Sequence, residues 1–350
     1  MEVNFDDKIE YFIIEIPNIE LHLHLEGAIP LETLFHLIQR KGNEPSIKTL
    51  EDLRSRFPCT DSTSFSELWS WKRRFITVEK DFEEITYQVL SNLHKQNVRY
   101  AEVIFAPGDC WREGLTIQGI TEYVIKGKER AFRDFSIQSN LIVDLVRDRG
   151  PKRGMEILEE ITPYLGKGLI GINLGGTEHR FPADPYATVY KKARERGFRL
   201  TAHAGEFAGA LSIWAVVGKL GVERIGHGTR AYEDPKLVSL LKEMQIPLEM
   251  CVTSNVQLGV CRSIEEHPIR EYCKEGLMVT INSDDPTMFN TSVTKELLIL
   301  VQELGFSLDD LKRLSMNGID ASFMADGDKK AMKSQFDMEW KQILNKNTIK

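Results

Sequence analysis

Cysteine is sparse and unpatterned. Five residues, Cys59, Cys110, Cys251, Cys261 and Cys273, are scattered over 350, and none forms a CxxC pair. An odd, scattered set excludes a disulfide framework and a thiolate zinc site, and it fits a reducing cytoplasm. Basic excess is also missing. The 45 Lys and Arg against 52 Asp and Glu leave a net charge of −7, which speaks against a polyanion such as nucleic acid as partner. No apolar run approaches the roughly 20 residues of a membrane span. The opening MEVNFDDKIEYFIIEI is acidic where a signal peptide would be basic. Low-complexity tracts, linkers and short repeats are absent. What remains is an ordinary globular composition, 42% apolar and 28% charged, in a chain long enough to bury a large core.

Within that composition, eight apolar β-type runs recur, at 19–23, 98–105, 138–146, 169–174, 199–204, 224–228, 247–252 and 278–284. Amphipathic helical patterns separate them, for example at 185–197, 210–221 and 235–245, each closed by glycine or a polar turn residue. Strands alternating with helices imply parallel pairing and right-handed crossovers. Eight such units of similar length predict an α/β fold, a (β/α)8 TIM barrel, in preference to a doubly wound open sheet. The chemistry of such a barrel sits at the C-terminal ends of its strands. The interval 25–97 is too long for one crossover and carries extra helical patterns. It predicts a helical, lid-like insertion after the first strand, within one domain spanning 1–350. The segment SFSELWSWKRRF (64–75) is either that lid or an amphipathic helix on the barrel rim, and the lid is the preferred reading.

The ionisable residues cluster on this frame. In IELHLHLEG (19–27), His22 and His24 share one face of a strand and Leu21, Leu23 and Leu25 the other. His203 and His227 fall at the ends of the fifth and sixth candidate strands, and NSDDP places Asp284 and Asp285 at the end of the eighth. Strands one, five and eight of a closed barrel converge at its mouth. His22, His24, His203 and Asp284 then offer three imidazole nitrogens and a carboxylate, a set suited to Zn²⁺, with Fe²⁺ or another divalent ion possible. Water activated there needs a base or orienting group, and the leaving group needs an acid. Glu206, His227 and Asp285 stand at the right strand ends for these tasks. His36 and His94 read as solvated or core-edge residues, and His267 as part of a turn or helix start.

These motifs resemble the adenosine deaminase family of the metal-dependent amidohydrolases. The matching pieces are ELHLHLEGA (20–28), GINLGGTE (171–178), TAHAGE (201–206), RIGHG (224–228), CVTSN (251–255) and NSDDP (282–286), in family order. The resemblance implies one zinc per chain on His22, His24, His203 and Asp284, and hydrolytic loss of ammonia from a 6-aminopurine nucleoside. Glu206 would protonate purine N1 as hydroxide attacks C6. His227 would orient or deprotonate that water, Asp285 would hydrogen-bond N7, and the Gly176 amide would face N3. Glu26 stands where adenosine-specific members carry an aspartate facing the ribose 5′-hydroxyl, and Thr177 stands where they carry an acid. Adenosine, 6-aminodeoxyfutalosine and adenine therefore all remain as substrates, in that order. The lysine that bridges two metals in binuclear relatives has no counterpart in INLGG, and the PCxxC of cytidine-deaminase-type zinc sites is absent.

Other classes are an inactive nucleoside-binding barrel, which would lack a ligand or the acid, and a binuclear lactonase or phosphoesterase, which would carry the lysine. Arg147 and Arg149, near the end of the third strand, are either anchors for an anionic substrate group or partners of Asp144 and Asp148.

Overall fold

A computed structural model describes residues 5–57, 59–109 and 114–346; Cys110 lies outside them. Eight strands are present: β1 Asn18–His24, β2 Val98–Phe105, β3 Gln138–Asp144, β4 Leu169–Asn173, β5 Arg199–Ala204, β6 Arg224–His227, β7 Leu248–Met250 and β8 Val279–Ile281. Each pairs in parallel with the next, in sequence order. The β8 side returns to β1 through two amides. Asp284 N–H donates to the His22 carbonyl and His24 N–H to the Asp284 carbonyl, both at 2.9 Å. The result is the nearly closed (β/α)8 barrel that the alternating pattern predicts.

The pleat of β1 sorts its side chains. Leu21, Leu23 and Leu25 join the main apolar core, while Glu20, His22 and His24 are buried polar groups that reach across the interior. A buried ionic layer lies in the barrel. Arg224 on β6 pairs with Glu102 on β2 at 2.6 Å and with Glu249 on β7 at 2.5 Å. Its guanidinium lies 3.7 Å from the Phe323 ring centroid.

Three strands stop two or three residues short of their apolar runs. β3 ends at Asp144 because Val146 turns to φ 44° and residues 147–149 form a 3-10 turn. β7 gives way to a short helix, Val252–Gln257. β8 ends before Asn282 because the chain turns inward, with Asp284 at φ 60°. GKGLIG (166–171) matches the GxGxxG spacing of a dinucleotide loop, but it leads into β4 instead of leaving a strand; Gly166 and Gly168 turn the chain at positive φ and Gly171 lies within β4.

Among the described residues, four helices occupy the interval between β1 and β2: Leu31–Lys41, Leu50–Arg54, Ser62–Arg73 and Asp81–Lys95. Ser62–Arg73 starts at an Asp61 capping box closed by Ser64, which satisfies its first amides. Among the described residues no helix is long and apolar enough to cross a membrane.

Candidate active site

The ends of β1, β5 and β8 bring one donor atom each from His22, His24, His203 and Asp284 within 4.8 Å of one another. Three of them, His22, His203 and Asp284, are held from behind. Glu249 stands 2.7 Å from His22 Nδ1, so Nε2 faces the centre, where it is buried without a hydrogen-bond partner. Asn173 engages Nδ1 of His203 at 3.1 Å. The Ser254 hydroxyl donates to Asp284 at 2.6 Å. His24 Nε2 and His203 Nε2 face each other at 3.1 Å. Two ring lone pairs at that distance repel unless a proton or a cation lies between them. An orphaned imidazole nitrogen, two opposed ones and a carboxylate fit a divalent metal such as zinc.

The environment separates the charges. Burial would lower the His22 pKa, but the Asp284 and Glu249 carboxylates override it and raise it to about 10. Burial lowers His24 to about 4. It also holds His203 far below the usual histidine range, helped by the neighbouring imidazoles. Asp284 is held well below the usual carboxylate range, because the facing histidines outweigh its burial. Cys251 also approaches Asp284 and His227, but burial keeps its thiol protonated and unsuited to ligation.

Around this cluster stand the acids. Glu206 follows β5 in a loop clamped by Glu178, whose carboxylate accepts four successive amides, Gly205 to Ala208, at 2.6–3.0 Å. Burial raises the Glu206 pKa well above normal, and the Asp284 and Glu178 charges add to it. Asp285 is raised likewise by burial and by Asp284. Its Oδ1 is buried without a partner. A side chain on Gly27 would bring its Cβ 1.5 Å from that oxygen, so glycine is required there. His227 Nε2 lies 3.6 Å from Glu206 Oε2. Its φ of 63°, like that of Asp284, is costly for a residue with a Cβ.

A cavity of about 730 Å³ opens over these groups. Its floor includes His24, His203, Glu206, His227, Asp284 and Asp285. One wall is the Ser62–Arg73 helix, with Phe65, Trp69 and Arg73; another is the segment Gly176 to Arg180 with Arg149. Glu26 lies behind the lining. One of its oxygens accepts the Ala106 amide at 2.9 Å, and the other is buried without a partner.

Some residues stand elsewhere than the sequence reading has them. Arg147 is neither an anion anchor nor a partner of Asp144 or Asp148. It is fully buried and donates to the carbonyls of Gly175, Phe181, Leu174 and His203, bracing β5. Arg149 pairs with Asp109 at 2.9 Å. Three further groups have roles that no motif reveals, although Glu178 closes GINLGGTE. Lys72 is buried and donates to the Glu26 carbonyl at 2.6 Å. Glu178 holds the Glu206 loop. His267 is buried against Asn255, which in turn contacts His227.

A parallel barrel with histidines and acids converging on one point at its C-terminal strand ends defines the amidohydrolase class of hydrolases. Comparison narrows this. The family model described as adenosine deaminase matches residues 17–339. An adenosine deaminase of Clostridium kluyveri is 33% identical over 317 residues, 89% of this chain and 91% of its own. An adenine deaminase of Wolinella succinogenes is 32% identical over 337 residues, 96% of this chain and 99% of its own. The crystal structure of a zinc-bound amidohydrolase from Burkholderia ambifaria superposes with a TM-score of 0.91 at 26% identity, covering 100% of this chain and 97% of that one. The chain belongs to the adenosine deaminase family, and it is a hydrolytic deaminase acting on a purine C–N bond.

Proposed function

We propose that the protein deaminates a 6-aminopurine nucleoside, adenosine first, with one zinc ion per chain held by His22, His24, His203 and Asp284. The observation that carries this reading is the convergence of those four donors beside a buried Glu206. The chemistry supplied at such ligands is the ionisation of water near neutral pH. The chain's own residues do the rest. Glu206 in its protonated form holds a proton for purine N1, which makes C6 electrophilic. Asp285, also protonated, donates to N7; an ionised carboxylate would repel that lone pair. The Gly176 amide faces N3, and His227 lies beside the attacking oxygen. Hydroxide would add at C6 as N1 takes the Glu206 proton; the carboxylate so formed would pass the new hydroxyl proton to the 6-amino group, which leaves as ammonia from a 6-oxopurine, and Glu206 would then regain a proton equal to the one released when the water ionised.

The cavity volume supports a nucleoside over a free base, because adenine fills only a small part of about 730 Å³. Phe65 and Trp69 on the Ser62–Arg73 helix would cover the base and sugar as a lid. Glu26 would act on the sugar side through the Ala106 backbone it holds. Ammonia release from adenosine, 6-aminodeoxyfutalosine and adenine, measured side by side, tests the choice. The expected result is the highest kcat/KM for adenosine. Turnover of adenine alone would overturn the nucleoside reading.

A further inference from the structure

His227 can serve the attacking oxygen in two opposite ways, as a hydrogen-bond donor or as a base. Which of them it does depends on the ring nitrogen that carries its hydrogen. The structure fixes this through a chain of buried contacts behind the ring.

The chain starts at a group whose direction is not in question. The Ile269 backbone N–H can only donate, and its contact is His267 Nδ1, at 3.3 Å. That nitrogen is therefore an acceptor, so His267 is neutral and carries its hydrogen on Nε2. Its Nε2 lies 3.0 Å from Asn255 Oδ1. The same oxygen accepts from the Thr229 hydroxyl at 3.2 Å. The His267 N–H fixes the orientation of the amide and turns its NH2 toward His227; the Thr229 hydroxyl, which can donate or accept, follows it. Asn255 Nδ2 stands 3.1 Å from His227 Nδ1. The amide donates, so His227 Nδ1 accepts, and the ring hydrogen is on Nε2, the nitrogen that faces Glu206 and the cavity floor. All of these side chains are buried, so water does not compete for the contacts.

We propose that His267 and Asn255 are positioning residues that hold His227 as its neutral Nε2–H tautomer, which makes it a hydrogen-bond donor to the attacking oxygen and not a base. This rests on His227 being beside that oxygen, as proposed above. A ring in this form has no lone pair on Nε2 to receive a proton. Glu206, 3.6 Å away, is the adjacent acid, and it can receive a proton only after it has given its own to N1. Burial keeps His267 uncharged, consistent with its Nδ1 accepting.

The test reads the tautomer directly. The metal-loaded enzyme is labelled with ¹⁵N at its histidine rings, and two-bond ¹H–¹⁵N correlations distinguish protonated from unprotonated nitrogens; the His227 signals are assigned by their loss in His227→Gln. The expected result is an unprotonated Nδ1 and a protonated Nε2 on His227. In His267→Phe the Asn255 amide loses the donor that orients it. The His227 signals should shift toward the other tautomer, and kcat should fall about ten- to a hundredfold with KM unchanged. His267→Gln retains both a donor and an acceptor, and should restore the wild-type pattern and most of kcat. A His227 that is protonated on Nδ1 in the wild type, or one whose signals do not move in His267→Phe, would overturn the proposal. The tautomer is legible without turnover. Failure of the assigned activity and failure of the relay are therefore separate results.

Discussion

At the scale of single residues, the site works by pushing like groups apart. Asp284 and Asp285 are neighbours in sequence, yet the histidines keep Asp284 ionised while burial keeps Asp285 protonated. One is suited to hold a cation and the other to donate to a ring nitrogen. The two roles predict different failures. Asp284→Ala should lose its metal by elemental analysis. Glu206→Gln should keep metal and lose about 10²–10⁴-fold in kcat, as expected for a lost proton-transfer group; near-normal turnover in either variant would count against its assignment.

His267 adds a pH dependence whose sign can be worked out. Its pKa is lowered by burial to about 3 in the folded protein, against an ordinary 6.5. Below 6.5 the unfolded chain binds a proton that the folded chain refuses, so this contribution is present above pH 6.5 and is lost as pH falls toward 3. From pH 7 to pH 5 it amounts to roughly 2 kcal/mol. Urea unfolding at both pH values should show a loss smaller by about that amount in His267→Phe, whose metal ligands are unchanged. Equal losses in the two proteins would contradict the assignment.

At the scale of elements, the Ser62–Arg73 helix is what makes the barrel mouth a cavity. Phe65 stacks on Trp69 and on Phe289. Lys72 fastens the helix to the loop after β1, and Arg73 pairs with Asp109 at 2.9 Å. Its outward residues, Ser62, Thr63 and Ser66, face the opening. If the helix closes over a nucleoside, its amides should exchange hydrogen more slowly in the presence of a 6-oxopurine nucleoside product. Unchanged exchange over 62–73, with slowing confined to the barrel floor, would make it a fixed rim. The helix was legible in sequence from its aromatic spacing and from the length of the interval that contains it. The strands were legible too, because parallel strands buried on both faces read as short apolar runs. Their ends were less so. β3 and β8 end where the chain takes positive φ, at Val146 and Asp284, the second of which joins the donor cluster, and apolar pattern carries no sign of that.

At the scale of the whole molecule, the barrel interior is a stack of polar layers resting on one another. Arg224 joins Glu102 to Glu249, and Glu249 orients His22. Glu20 accepts from Ser283 at the foot of the NSDDP turn, and burial raises its pKa to about 7. The strand-end histidines and acids were legible because their chemistry is unusual in an apolar run. The roles of Arg147, Lys72, Glu178 and the Asn255–His267 pair were not, although Glu178 and Asn255 close the motifs GINLGGTE and CVTSN. Each is an ordinary polar residue whose role depends on partners far away in sequence, and only the closed barrel brings those partners together. The proposed function places the whole activity on one cluster, His22, His24, His203 and Asp284. The most direct test is to remove the metal with a chelator, confirm its loss by elemental analysis, and follow ammonia release from adenosine while zinc is added back. Release should be absent from the stripped protein and should rise linearly to a plateau at about one zinc per chain. Full activity without metal, or a zinc-loaded protein that releases no ammonia, would contradict the account.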